Sequence, residues 1–263
     1  MSSVPGQWDD LLTRVLSGGV MAAIGVLAVW LGGYWFHAFI AVLCAAMIWE
    51  LARMLGAGPL SVWPALGAGL ALIIAIEIPE GFALPLIIAP ALFRCDGMRG
   101  NRTQYAMLTV AILIAGYGLT SLRDDFGFIW MVWLAAVVIA TDIGGYFAGR
   151  MFGGPKIWPK VSPKKTWSGT VAGWIAAAAI SVPFVTQTAT GWELLGIAVA
   201  ISMASQLGDV SESAIKRRVG VKDSSNLIPG HGGLLDRFDS MLGASIFLLL
   251  IERIVDFPPP PVF

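Results

Sequence analysis

The chain has 263 residues, 57% of them hydrophobic and only 13% charged, with a mean hydropathy of +0.76. A soluble domain carries about 25% charged residues, so this composition cannot clothe a water-facing surface, and a lipid bilayer must solvate much of the protein. Equal numbers of basic and acidic side chains, 17 of each, argue against nucleic acid as a partner.

The expected fold is therefore an all-α, polytopic transmembrane bundle. A helical crossing needs about 20 apolar residues. Stretches of that kind run over 11–31, 34–52, 61–77, 80–93, 105–122, 127–148, 167–187, 192–208 and 239–256. The fourth is short and interrupted by Pro79, Pro85 and Pro90. The N-terminus, MSSVPGQWDD, is acidic ahead of its first apolar run, which makes it a poor secretory signal, so the first span is expected to be retained.

Nine crossings put the N-terminus and the loops 53–60, 94–104, 149–166 and 209–238 on one side. Every Lys and Arg except Arg123 and Arg253 falls on that side, and Glu77, Glu80, Asp124, Asp125, Glu193 and Asp256 collect on the other. This asymmetry marks the basic side as cytoplasmic, with the N-terminus inside. An eight-span arrangement breaks it. Residues 1–125 are read as N-terminal membrane helices, and residues 126–263 as C-terminal membrane helices carrying an active site on the cytoplasmic face. Cys44 and Cys95 form no CxxC pair and suggest neither a disulfide framework nor a zinc site. His37 sits among aromatics in an apolar span and reads as structural, and the proline-rich tail DFPPPPVF reads as a short extended terminus.

Three polar segments interrupt this apolar background. The first ends the sixth span, where helical spacing puts Asp142, Tyr146 and Gly149 on one face. A carboxylate at the edge of the hydrocarbon is costly and by default marks function, although Asp142 could simply pair with a nearby cation. The second is Ser162-Pro163-Lys164-Lys165-Thr166-Trp167-Ser168-Gly169. Its adjacent lysines suit a phosphate chain, and either Thr166 or Ser168 could cap the helix that follows. Taken alone, the lysine pair reads first as a basic membrane anchor. No GxxxxGK[ST] loop precedes it.

The third segment runs from Gln206 to Asp239. Asp209, Ser213 and Lys216 share a helical face, and Asp236 and Asp239 lie one turn apart at the start of the last span. Carboxylates from two helix ends, completed by phosphate oxygens, are a usual way to hold Mg²⁺. In the turn between them, Gly230, Gly232 and Gly233 would let backbone amides approach a phosphate. His231 reads either as a proton or phosphate donor or as a residue that only hydrogen-bonds the turn.

The continuous pattern Ser213-x-Ile215-Lys216-Arg217, Lys222-Asp223-x-Ser225, Ile228-Pro229-x-His231-Gly232-Gly233-Leu234-x-Asp236-Arg237-Phe238-Asp239 resembles the signature of the phosphatidate cytidylyltransferases. TDIGGYFAGRMFG and SPKKTWSG resemble two further blocks of that family, with Ser168 where many members carry an acid and Gly145 where Ala is common. The resemblance implies a Mg²⁺-dependent, homodimeric enzyme of the bacterial inner membrane, with room for a second metal ion. It would convert CTP and phosphatidate into CDP-diacylglycerol and pyrophosphate.

Carried over residue by residue, the resemblance implies Asp209 and Asp236 as the main metal ligands, with Asp142 and Asp239 in support. Lys164 and Lys165 would hold the CTP phosphates, with Ser162, Thr166, Ser213, Lys216, Gly232 and Gly233 around the nucleotide. Lys222 and Arg237 would be additional cations near the leaving group or the lipid phosphate, with His231 a further catalytic candidate. A CTP-dependent lipid kinase would need the same groups but release CDP. The DGxxAR…GxxxD…D pattern of CDP-alcohol phosphotransferases is absent. A transporter would gather its polar groups near the bilayer midplane, often in inverted repeats, and none is visible here.

Overall fold

The computed structural model describes residues 7–93, 98, 101–188, 190–255 and 257. Arg94, Cys95 and Arg99, with Asp256 and the proline run of the tail, lie outside the described residues. Nine α-helices occur among those described: α1 (Gln7–Leu31), α2 (Gly33–Met54), α3 (Val62–Glu77), α4 (Glu80–Ile88), α5 (Arg102–Asp125), α6 (Phe128–Phe152), α7 (Trp167–Gln187), α8 (Glu193–Val219) and α9 (Leu235–Val255). Between α6 and α7 the chain forms a small antiparallel hairpin, β1 (Lys156–Trp158) with β2 (Ser162–Thr166), where the sequence suggested only a loop.

Seven of these helices are long and apolar enough to cross a membrane. The segment Gly81–Leu92, which is α4 with its 3₁₀ extension, is apolar but shorter. Pro85 lies inside α4 and offers no amide to its hydrogen-bond ladder. The 21-residue α9 is long enough, but Asp236, Arg237 and Asp239 crowd its start and Glu252 and Arg253 its end. Large apolar side chains face outward all around the bundle, among them Trp30, Trp35, Leu70, Phe82 and Ile254. This is the surface expected of a protein whose helices meet lipid.

The centre is built from α2, α5, α6, α8 and α9, around buried Phe36, Ile48, Leu51, Ile112, Trp133, Leu134 and Ile201. Phe257, just beyond α9, stacks edge-on against Trp130 and Trp133 with ring centroids 5.3 and 5.7 Å away. Helix α6 packs most closely on α7 because small residues face each other there. A Cβ on Gly169 would fall within 2.5 Å of the Gly145 carbonyl oxygen, and apposed glycines let two backbones approach in this way. Gly145 thus serves close packing. The close approach brings the C-terminal half of α6 beside the start of α7 and the hairpin, and so positions the polar residues of one end of the bundle.

Candidate active site

At that end, α6, the hairpin, α7 and α8 enclose a cavity of about 580 Å³. Arg150, Lys156, Lys164 and Lys165 supply positive charge to its wall, and Asp142 and Asp209 supply negative charge. Thr166, Gly169 and Thr170 complete one side. Thr166 has extended backbone angles and its Oγ1 accepts from the Gly169 amide at 3.2 Å, so Thr166 rather than Ser168 caps α7. The positive end of α7 therefore opens onto the cavity, where it favours anions. Ser168 instead donates to the Gly153 carbonyl and lies 3.0 Å from Thr166 Oγ1.

Successive residues of a strand point to opposite faces. On β2, Lys164 is accordingly exposed, while Lys165 turns inward and places Nζ 2.6 Å from Asp209 Oδ2. The other oxygen, Asp209 Oδ1, accepts from Ser213 Oγ at 3.2 Å, as the four-residue helical spacing anticipated. Helix α8 stays continuous to Val219 and so carries Asp209, Glu212, Ser213 and Lys216 on one rigid element. Asp142, Asp209 and Asp239, from α6, α8 and α9, lie close enough to repel one another. Among the described residues, no three Asp, Glu, His or Cys side chains converge tightly enough to enclose a metal ion by themselves.

The expected pairing of Asp209 with Asp236 is not what the geometry presents. Both Asp236 oxygens are already engaged: Oδ1 takes Lys216 Nζ at 2.5 Å, and Oδ2 takes the Ser224 amide, the Ser224 hydroxyl and the Gly233 amide at 2.8, 3.0 and 2.9 Å. Lys216 also contacts Glu212, so an ammonium group occupies the place between these carboxylates. Asp236 stands ahead of the apolar part of α9. Burial alone would raise its carboxyl, but the bonds from Lys216, Gly233 and Ser224 outweigh that and hold it below the ordinary aspartate range.

The glycine turn also differs from expectation. The Gly233 amide serves Asp236, and the Gly232 amide donates to the Ile228 carbonyl, so neither is directed at a phosphate. His231 Nδ1 lies 2.9 Å from Ser17 Oγ on α1, and Arg237 donates to the His231 carbonyl at 2.6 and 3.0 Å. The histidine thereby pins the turn to α1, and neither it nor Arg237 lines the cavity. Lys222 is exposed on the loop outside the cavity. Ser162 faces a smaller, mainly apolar pocket that shares Lys165, Thr170 and Gln206 with the main cavity. Asp239 lines an apolar groove between α5, α8 and α9.

The structure thus gathers Asp142, Lys164, Lys165, Thr166 and Asp209 around one cavity, with Ser213 behind Asp209. Lys216, Gly232, Gly233 and Asp236 belong to an adjoining, closed network. Sequence reasoning did not single out Arg150 and Lys156, which were visible only as basic loop residues. It also missed Glu50, a carboxylate in an apolar span whose position alone was a signal.

Comparison with known proteins adds a family. The model of the cytidylyltransferase family matches residues 12–255. A phosphatidate cytidylyltransferase of Brucella suis biovar 1 (strain 1330) is 34% identical over 265 residues, which covers 96% of this chain and 97% of the relative. One from Bacillus subtilis (strain 168) is 30% identical over 274 residues, covering 92% and 97%. One from Staphylococcus aureus (strain COL) is 37% identical over 141 residues, about half of each chain at 52% and 54%.

Proposed function

This chain belongs to the cytidylyltransferase family, and from that premise we propose that it is a phosphatidate cytidylyltransferase, making CDP-diacylglycerol and pyrophosphate from CTP and phosphatidate. The observation that carries the reading is the cavity in which four cations and the α7 N-terminus face two carboxylates. A triphosphate needs such a wall. The cavity volume also falls within the range of about 300–1,000 Å³ usual for small-molecule sites.

In the reaction, a phosphate oxygen of phosphatidate attacks the α-phosphorus of CTP. The bond from that phosphorus to the oxygen bridging the β-phosphate breaks, and pyrophosphate leaves with the bond's electron pair. A phosphate monoester has a second pKa of about 6, so the attacking group is largely ionised near neutral pH and no protein nucleophile is required. Lys164 and Lys165, with Arg150 and Lys156, neutralise the triphosphate and the charge that develops on the departing pyrophosphate. Lys165 is already held by Asp209, which fixes its ammonium at the cavity wall.

The donor set suits Mg²⁺. Asp142 and Asp209 offer hard oxygens on the cavity wall with Asp239 close by, and Mg²⁺ commonly takes one or two carboxylates with the remaining ligands from phosphate and water. Asp142 and Asp209 would hold it, Asp209 through the lone pairs that its bonds to Lys165 and Ser213 leave free, and the ion would offset the charge of the phosphates. Asp236 would first have to release Lys216 before it could contribute a ligand.

We place the enzyme in the bacterial inner membrane with this cavity facing the cytoplasm, supported by the basic residues gathered at the cavity end. Nine crossings with an inward N-terminus belong to the same proposal; seven long apolar helices support it, and the α4 segment and α9 would have to supply the other two. The exposed apolar face of α1 is available to lipid and to a second copy of the chain in a homodimer. The test is to incubate the purified protein with phosphatidate, Mg²⁺ and CTP labelled on its α-phosphate. A labelled liponucleotide together with pyrophosphate is expected. Release of CDP with a newly phosphorylated lipid would make the protein a kinase instead.

A further inference from the structure

A carboxylate with no access to water closes the signature loop from outside the signature. Glu50, near the end of α2, is 0% exposed. Its Oε1 accepts from the Ser225 hydroxyl at 2.6 Å and the Leu234 amide at 3.0 Å; its Oε2 accepts from the Leu235 amide at 2.8 Å and lies 3.2 Å from the Ser224 hydroxyl, whose single proton it shares with Asp236. The first amides of a helix have no partner within it and lie at its positive end. Glu50 supplies that partner for α9 from a helix more than 180 positions earlier in the chain.

The contact reaches the carboxylate at the start of α9. Ser224 lies between the two acids, with its hydroxyl near Glu50 Oε2 and 3.0 Å from Asp236 Oδ2, while its amide donates to the same Asp236 oxygen. Asp236 in turn holds Lys216 of α8. A continuous polar chain therefore runs from α2 through the loop to α9 and α8. Gly233 lies against it, where a Cβ would collide with Ser224 Oγ and come within 2.7 Å of Glu50 Oε2. Stability alone is a weak reason for such an arrangement, because well-packed apolar residues often stabilise as much as a buried polar network. Three directional bonds and a shared hydroxyl do something apolar packing does not: they fix where α9 begins.

We propose that Glu50 is a positioning residue for cytidylyl transfer, holding the start of α9, and with it Asp236 and Asp239, in register with the nucleotide cavity without touching either substrate. The inference rests on the cytidylyltransferase reading above. Glu50 lines no part of the cavity that carries Lys164 and Lys165. Loosening α9 should therefore slow the chemical step and leave CTP binding alone.

The experiment measures steady-state transfer from labelled CTP to phosphatidate by the full-length protein in mixed micelles, with thermal unfolding followed in parallel. Glu50→Gln keeps the side-chain volume but turns an amide N–H toward a set of donors. It should lower kcat by about ten- to a hundredfold, the usual range for outer-shell partners, with KM for CTP within about threefold of wild type. Ser225→Ala removes the Ser225 bond to Glu50 and should give a smaller fall in kcat with the same unchanged KM. A purely structural role would lower the unfolding temperature and leave kcat of the folded protein at the wild-type value, which would overturn the proposal. If Glu50→Gln does not fold, Ser225→Ala decides, and wild-type kcat in that variant would equally overturn it. A wild-type protein that makes no labelled liponucleotide would instead defeat the functional reading itself, so the two failures are separable.

Discussion

Two acidic neighbourhoods lie side by side at one end of the bundle, and they differ in how their oxygens are employed. Asp142 and Asp209 line an open cavity, where Asp209 meets one lysine and one serine while feeling the charge of its acidic neighbours. Glu50 and Asp236 lie in a closed network in which each carboxylate takes three hydrogen bonds of its own, from the loop, α8 or the start of α9, and the two share the Ser224 hydroxyl. The first arrangement leaves capacity for a ligand. The second has none to spare and holds the chain in place. The signature stretch Ser213–Asp239 thus supplies most of the closed network, whereas the carboxylates of the open cavity, Asp142 and Asp209, precede it in the chain.

The largest expected effect tests the open neighbourhood. Asp209→Ala should lower kcat by at least about a thousandfold, at the upper end of losses seen when one charge-stabilising group is removed from an active site. Its unfolding temperature should move little, because Asp209 is partly exposed and its contacts are a lysine and a serine. Activity near the wild-type level in the labelled-CTP assay would remove Asp209 from the reaction and erase the distinction between the two neighbourhoods. Lys164→Ala combined with Lys165→Ala should act next most strongly, raising KM for CTP by about ten- to a hundredfold, as expected for losing bonds to charged phosphates. An unchanged dependence of rate on CTP concentration would move the triphosphate elsewhere.

The closed neighbourhood should respond in stability as well as rate. Gly233→Ala pushes a methyl group into Ser224 and Glu50, and overpacking of that kind costs about 1–3 kcal/mol. Thermal or denaturant unfolding of the purified protein reads the loss directly. A variant as stable as wild type would mean that the loop yields easily around Glu50, and that the network is looser than its hydrogen bonds indicate.

What could be read along the chain was local. Apolar run lengths announced a helical membrane bundle, and a four-residue spacing put Ser213 beside Asp209 on α8. The adjacent lysines before α7 do stand in the wall of a cavity. Contacts that join distant segments were not legible. Asp236 looked like the natural companion of Asp209, because nothing along the chain indicates that Lys216, Ser224 and Gly233 would claim both of its oxygens. The glycine turn looked suited to phosphate because small residues free backbone amides, yet those amides were taken by Asp236 and by the turn itself. His231 lay in the signature but closes on Ser17, more than 200 residues earlier. Such choices depend on which helix ends meet, and a linear pattern does not contain that information.

The smallest expected effect lies at the far end of α2. There His37 Nε2 lies 2.6 Å from Asp124 Oδ2 on α5, and its Nδ1 is 3.5 Å from Glu77 Oε1 on α3, so three helices share one polar contact. This cluster sits at the opposite end of α2 from Glu50, with about ten residues of helix between them, and Asp124 is 35% exposed where Glu50 is fully buried. Solvent can take over much of what His37 provides. His37→Ala should therefore cost no more than about 1 kcal/mol in unfolding free energy, the scale of a single partly exposed hydrogen bond. Turnover of CTP should stay at the wild-type level, because no contact from this cluster reaches the cavity. A large fall in kcat without loss of stability would show that α2 transmits changes along its whole length, and Glu50 would then be one point on a longer coupled element.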